Sequence, residues 1–287
     1  MASLNEIRKR IKIVESTSKI TNAMKLVATA KLKKQKNLFE NQQEFFKNFY
    51  NIFSYVKSNL TNYKYCIERT NGTKNIWIVI FSSMGLCGSF NLNLVKELKE
   101  KIEPQDEIIL IGKKGRNLLS SKNIKNKIIS SFEIDDKEMS FDLYYLIISN
   151  LITEYEKNNN IKSIKLLYTK FINSLSFVPT SYNLLPLSKN IDENRLAKPS
   201  QESVYTIQPC EETVIDQLLN GFLASCLFGG VLESKVCENA SRRNAMDSAT
   251  KNADDLMKNY KLEFNRKRQA DITQEITEIV SGSNVGE

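Results

Sequence analysis

The sequence predicts a mainly parallel α/β domain inserted between long N- and C-terminal helices. Residues 1–71 contain neither glycine nor proline, and neither do residues 231–281. Inside a helix proline costs about 3 kcal/mol and glycine about 1 kcal/mol, so stretches without either favour uninterrupted helix. Between the two arms, β-branched runs alternate with amphipathic segments, the order that builds a parallel sheet. The expected organisation is an N-terminal helical arm over 1–71, an α/β domain with a linker over 72–209, and a C-terminal helical arm over 210–287.

In the first arm Leu4, Ile7, Ile11 and Val14 recur at three- and four-residue steps, and Ile20, Met24 and Val27 continue on a shifted stripe. Between them the seam is small or polar, at Ser18, Thr21 and Ala28. Such a seam permits close approach but buries little area. A helix of about 50 residues is about 75 Å long, more than a small domain can cover, so each arm must pack on the other or on partners. The run Asn75 to Phe81 reads as a buried strand, ending at Ser82 and Gly85. A helix is expected over 91–102, a strand over 107–111, a short helix over 114–121 and a strand over 128–132. A helix over 141–156, a strand over 163–168 and an edge strand over 176–185 follow, because Pro179 removes a ladder donor. Residues 188–209 read as a linker, and Glu211 and Glu212 suit the first turn of the last helix. In that helix Val214, Leu218, Phe222 and Leu227 are expected to be buried, Gly229-Gly230 to mark a bend, and Met246, Ala249, Ala253, Leu256 and Tyr260 to form a coiled-coil seam.

At 287 residues the chain has ample apolar content for a core without metal or disulfide support. Its five cysteines, at 66, 87, 210, 226 and 237, are irregularly spaced and form no CxxC, which points to free thiols in a reducing compartment. No run approaches a membrane span, and the first residues lack the apolar stretch of a signal peptide. The chain is therefore expected to stay in its compartment of synthesis, or to reach another by a presequence already removed. Histidine is absent, which argues against Ser-His-Asp, Cys-His and HExxH chemistry. The formal net charge is +8, and residues 1–36 carry all of it: ten lysines and arginines against Glu6 and Glu15. A basic helix of this kind suits nucleic acid, an anionic membrane or an acidic protein surface, or is simply a solvated face.

Gly85-Leu86-Cys87-Gly88 follows a strand and opens a helix, where α/β folds cradle phosphates. It matches neither GxGxxG nor GxxxxGK[ST], so a tight turn with close helix packing is the better reading. Gly112-Lys113-Lys114-Gly115 reads the same way, and Cys87, with no histidine to activate it, reads as a small buried residue. In the polar stretch from Arg266 to Glu275, the side chains of Arg268, Thr273 and Glu275 do not share one helix face.

Several of these segments carry a resemblance: Ser16 to Ala28, the Gly85-Leu86-Cys87-Gly88 loop with Ser89-Phe90-Asn91, Ala245 to Ala253, and Asn265 to Gly282. Together, and in this order, they resemble the gamma subunit of F-type ATP synthase. The resemblance implies that the arms form an antiparallel coiled coil inside a ring of three alpha and three beta subunits, with the α/β domain bound to the epsilon subunit and the c-ring. It implies a non-catalytic rotor shaft without cofactor or metal, peripheral on the cytoplasmic face of the bacterial inner membrane or its organellar equivalent. Met24 and Lys25 would face acidic loops of the beta subunits; Arg268, Gln269, Thr273 and Glu275 would meet loops of the surrounding hexamer; Tyr205 would lie near the c-ring and epsilon. Where the family usually has an acidic and a basic residue before this loop, the chain has Ser83 and Met84, so an ion pair there is not expected. No redox-regulated cysteine insertion is visible.

A nucleotide-binding enzyme and a basic nucleic-acid-binding coiled coil are the alternatives. The first lacks a complete phosphate loop and any histidine; the second leaves the α/β domain without a purpose. The isolated chain should hydrolyse no ATP and should bind nucleotide no more tightly than the millimolar range. Stoichiometric micromolar ATP binding in calorimetry would overturn this.

Overall fold

The computed structural model describes residues 3–58, 63–133, 140–187, 206–208 and 210–284. Two compact units are distinguished, Met1–Thr29 with Arg242–Glu287, and Ala30–Ser241, and the two terminal helices contribute to both. Helix α1 spans Leu4–Ser58. It opens with a capping box, in which the Ser3 amide donates to Glu6 Oε2 at 2.9 Å and the Glu6 amide to Ser3 Oγ at 3.3 Å. The order continues β1 (Lys74–Ile80), α2 (Phe90–Lys101), β2 (Glu107–Ile111), α3 (Gly115–Ser121), β3 (Lys127–Phe132), α4 (Phe141–Lys157), β4 (Ile161–Phe171), β5 (Phe177–Leu185) and α5 (Glu211–Asn284).

The five strands form one sheet in the order β3-β2-β1-β4-β5. The pairings of β1 with β2 and β4, and of β2 with β3, are parallel, whereas β5 joins β4 antiparallel at the edge, with Pro179 opposite Thr169. An edge place tolerates the missing proline N–H. Strand β1 shows the logic of a sheet covered on both faces. Ile76, Ile78 and Ile80 enter a core with Tyr144, Ile147 and Ile148 of α4 and with Phe222 and Leu227 of α5. Trp77 and Val79, followed by Phe81, enter the opposite core with Phe90, Leu94 and Leu98 of α2. At the start of the sheet the buried Asp106 accepts from the Asn75 amide at 2.8 Å, from Asn75 Nδ2 at 3.0 Å and from Trp77 Nε1 at 2.8 Å.

Within the larger unit, α1 and α5 are joined to one sheet face by aromatic rings. Phe222 stacks on Phe53 with centroids 4.0 Å apart and planes at 3°. Phe46 and Tyr50 lie 5.8 Å and 6.2 Å from the same ring. Further along, Leu32 and Phe39 cluster with Leu232, Val236 and Ala240, and Asn239 Nδ2 donates to Gln35 Oε1 at 2.5 Å.

Three expectations need correction. The described part of α1 ends at Ser58, and residues 63–73 are not helical. This Tyr-, Asn- and Thr-containing segment, which ends in Gly72-Thr73, has weak helix propensity, and side chains of these types can compete for the helical hydrogen bonds. Gly229-Gly230 makes no break in α5; a side chain at Gly230 would press to 3.1 Å from Leu166 Cδ2, so this glycine permits close helix-to-sheet packing. An 18-residue window of α5 is apolar enough to cross a membrane by composition, yet 61% of it is buried within the fold, as in a core helix.

The two glycine loops are turns. Gly88 and Leu86 hold φ of 56° and 60°, and Gly112 holds 106°. The Asn91 side chain fills the first loop, accepting from the Ser82 amide at 3.0 Å and donating to Ser82 Oγ at 2.7 Å. Ser241 of α5 donates to the Cys87 carbonyl at 2.6 Å. Cys87 is buried, and Ser83 accepts from the buried Lys235 ammonium at 3.0 Å. A side chain at Gly112 would overlap the Phe81 carbonyl, and one at Gly115 would lie 2.6 Å from the Phe81 ring. Gly112→Ala should therefore lower stability by more than about 2 kcal/mol, read as the urea midpoint. Gly85→Ala, whose added carbon would come no nearer than 3.9 Å to Lys114, should stay within about 0.5 kcal/mol. Equal effects at the two positions would refute the close-packing account.

Candidate functional site

The smaller unit pairs the first turns of α1 with the last of α5. Its seam follows Ile7, Ile11, Val14, Ser18, Thr21 and Ala28 on α1, of which Ile7 and Ala28 are fully buried. On α5, Met246 and Ala253 are buried, Ala249, Met257 and Tyr260 are half-buried, and Leu256 is exposed. Met257, one residue on, takes the inward position that the sequence pattern gives to Leu256.

Where the seam lacks large apolar side chains, polar pairs hold it. Ser18 Oγ donates to Asp254 Oδ1 at 2.9 Å. The Thr250 and Thr21 hydroxyls meet at 2.8 Å, and Thr21 gives its own proton to the Ser18 carbonyl at 3.0 Å. Lys25 reaches Asp247 at 2.7 Å, and Lys251 holds the other oxygen at 2.8 Å. Hydrogen bonds from Lys25 and then Lys251 draw the Asp247 carboxyl down to a pKa of about 2. Arg8 lies over the Phe264 ring at 5.6 Å. Asp247, Thr250 and Asp254 were not singled out by sequence reasoning. Their signal is the polar residues Ser18 and Thr21 at seam positions of α1, which need polar partners on α5.

The outer surface is equally informative. Ile13, Ile20 and Val27, seven residues apart, are 65%, 59% and 57% exposed. The stripe formed by Ile20 and Val27 therefore does not enter the helix pair, in contrast to its expected place in the arm's packing. Leu26 is also exposed, and on α5 Leu262, Ile272, Ile276 and Ile279 are exposed too. Large aliphatic residues thus stand beside the exposed cations Lys9, Arg10, Lys12 and Lys19.

Met24 is half-buried, and Lys25 is engaged with Asp247 within the chain. Arg268, Gln269, Thr273 and Glu275 are all exposed, and Thr273 bonds back to the Gln269 carbonyl at 2.8 Å. These residues lie in two groups, Met24 and Lys25 on α1 and the other four near the end of α5, and no direct contact joins the groups among the described interactions. Tyr205 lies outside the described residues. Among the described residues no group of three or more cysteine and carboxylate side chains is placed to hold a metal ion.

A family model described as ATP synthase matches residues 3–285. The ATP synthase gamma chain of Malacoplasma penetrans is 60% identical over 283 residues, covering 99% of both chains. That of Mycoplasmoides gallisepticum is 40% identical over 292 residues, again covering 99% of both. Among solved structures, a chain of the Euglena gracilis mitochondrial ATP synthase rotor in rotational state 1 shares the fold with a TM-score of 0.69 at 18% identity, covering 94% of this chain and 98% of that one. A chain from the central stalk and c-ring of the Tetrahymena thermophila mitochondrial ATP synthase matches with a TM-score of 0.59 at 25% identity, covering 80% of this chain and 99% of that one. With a family match across nearly its whole length and relatives of this similarity, the chain belongs to the ATP synthase gamma-chain family.

Proposed function

We propose that this chain is the central rotor shaft of an F-type ATP synthase, coupling proton-driven rotation of a c-ring to ATP synthesis and hydrolysis in a hexamer of three alpha and three beta subunits. It is non-catalytic itself. The observation that carries this reading is the helix pair of the smaller unit, which exposes Ile13, Ile20 and Val27 in a row among cations. A solvated surface of that composition is a liability; one enclosed by other subunits is not. A shaft that turns must meet its surroundings in many orientations without binding any of them tightly, because each 1.4 kcal/mol of preference slows escape about tenfold. Aliphatic side chains set two turns apart among lysines serve that need better than one continuous apolar face.

In this reading Met24 and Lys25 face acidic loops of the beta subunits, and Arg268, Gln269, Thr273 and Glu275 meet loops of the hexamer. The α/β domain lies toward the epsilon subunit and the c-ring, with Tyr205 near them, and the whole is peripheral on the cytoplasmic face of the membrane. The arms over 1–71 and 210–287 act as the shaft, and the middle over 72–209 as its base. Asp247 prepares the Met24 region by holding Lys25 against α5, which leaves part of the adjoining positive charge neutralised within the chain.

The primary test is composition: the chain should co-purify at one copy per three alpha and three beta subunits. Truncation after Lys258 should leave the α/β domain folded, by circular dichroism, while assembly with alpha and beta subunits becomes poor. Unchanged assembly and ATP-driven proton pumping would remove the role given to Arg268, Gln269, Thr273 and Glu275. Met24→Lys adds a cation whose partly desolvated pairing with a carboxylate is worth roughly 1 to 3 kcal/mol. ATP hydrolysis should persist while synthesis and pumping weaken, with partial relief at high salt; Met24→Leu should be nearly silent. Normal coupling in the lysine variant, or equal damage in the leucine variant, would exclude this placement of Met24.

A further inference from the structure

In the larger unit α5 is enclosed on every side, and each residue from 229 to 241 is buried. A helix buried all round is normally apolar all round. This stretch instead carries Glu233, Ser234, Lys235, Glu238, Asn239 and Ser241, none more than 5% exposed. Their bonds reach outward to three neighbouring elements. β1 ends its pairing with β4 at Val79, opposite Leu167. Beyond that point α5 serves as the partner of the strand: the Thr169 amide donates to Ser234 Oγ at 3.1 Å and the Phe171 amide to Glu233 Oε1 at 2.9 Å, while Cys237 Sγ donates to the Thr169 carbonyl at 3.5 Å. In the loop after β1, Ser83 Oγ accepts from the Lys235 ammonium at 3.0 Å and the Cys87 carbonyl from Ser241 Oγ at 2.6 Å. On α1, Gln35 Oε1 accepts from Asn239 Nδ2 at 2.5 Å.

Successive residues of a helix point about 100° apart, so the bonds from Glu233 round through Ser234 and Lys235 to Asn239 leave α5 over about two-thirds of its circumference. Apolar contact is non-directional and sets no preferred angle of its own. A buried hydrogen bond does set one, because turning α5 about its axis would leave donors and acceptors unmet in the interior. With bonds leaving on opposite sides, a turn in either direction breaks some of them. We propose that residues 233–241 are a torque key, in which Glu233, Ser234, Lys235, Asn239 and Ser241 act as positioning residues that fix the angle of α5 within the α/β domain. α5 runs on into the smaller unit, and the key passes rotation of the domain into it without slip. The inference rests on the rotor reading and adds to it the place where torque enters the long helix.

The test uses the purified complex with the full-length chain, its hexamer fixed to a surface and a gold rod attached to the α/β domain. Two variants remove both partners of a bond: Gln35→Leu with Asn239→Leu, beside the cluster of Leu32, Phe39, Leu232 and Val236, and Ser83→Ala with Lys235→Met. The second also carries Glu238→Gln, because Glu238 pairs with Lys235 at 3.7 Å. Replacing buried polar pairs by apolar groups of similar volume is often neutral or stabilising, so the melting temperature of the free chain should stay level or rise. With turnover stopped by ADP, the angular variance of the rod should nonetheless widen at least about twofold, because the directional bonds are gone. Phe222→Leu, which removes ring contacts but no bond of the key, should lower the melting temperature and leave the variance unchanged. A merely structural role would move the two readouts together. Rods on the unmodified complex that do not turn with ATP would refute the rotor reading and the key with it. If they do turn, widening in either paired variant supports the key; no widening in the pairs that fold, or a variance that simply follows falling melting temperature, overturns the key alone.

Discussion

The ring of Phe222 is the point on which the rest of the structure depends. It lies face to face with Phe53 and within 6.3 Å of Phe46, Phe49 and Tyr50, so five aromatic side chains from two helices converge where both meet the sheet. Each fully buried ring contributes up to about 3 kcal/mol, and favourable pair geometry adds to it. Among the described residues the seam of the smaller unit has no such cluster of rings: Ile7, Ile11, Val14 and Met246 alternate there with Ser18, Thr21, Ala28 and Ala253. The grip on both helices is therefore concentrated in the larger unit. The surface of the helix pair in the smaller unit is left free to be shaped by what it touches.

The seam substitutes alignment for area. Ser18 with Asp254, Thr21 with Thr250 and Lys25 with Asp247 are short-range, directional pairs. An exposed ion pair adds little stability on its own. Three such pairs in sequence along two helices nonetheless fix how the helices are matched lengthwise, because a shift of one turn would leave each partly buried polar group facing the wrong neighbour. Low contact area and strict matching are compatible when specificity is carried by hydrogen bonds and small side chains permit the close approach.

The α/β domain was legible in the sequence because each strand announces itself twice, by a β-branched run and by the turn residues that end it. Isoleucines 76, 78 and 80 and their neighbours Trp77 and Val79 read as buried on both sides, and they are. The arms were harder, because apolar periodicity does not distinguish a stripe that packs within the chain from one that awaits another chain. Ile20 and Val27 satisfy the pattern and stay exposed, while Ser18 and Thr21 break it and lie in the seam. The end of α1 was misread because the absence of helix breakers is not itself a reason for helix. Of the candidate site, the positions of Arg268 and Glu275 on an exposed helix end were readable, but the capture of Lys25 by Asp247 spans more than two hundred residues and leaves no local trace.

The sequence separation of the paired helices also has a temporal side. Gln35 bonds Asn239 across 204 residues, and Ser18 bonds Asp254 across 236. At a synthesis rate of about 5–20 residues per second, α1 waits on the order of 10–50 s after emerging before its partner exists. An isolated long helix without a packed face is only marginally stable in water, so during that interval Phe46, Phe53 and the aliphatic residues of α1 are exposed on a fluctuating nascent chain. The sheet cannot relieve this early, because β1 also pairs with β4, almost ninety residues downstream. Such non-local pairing makes for slow folding and a long window for misassociation. An architecture that joins its two ends last therefore places its heaviest demand on chaperoning, or on prompt capture by neighbouring subunits, at the moment of birth.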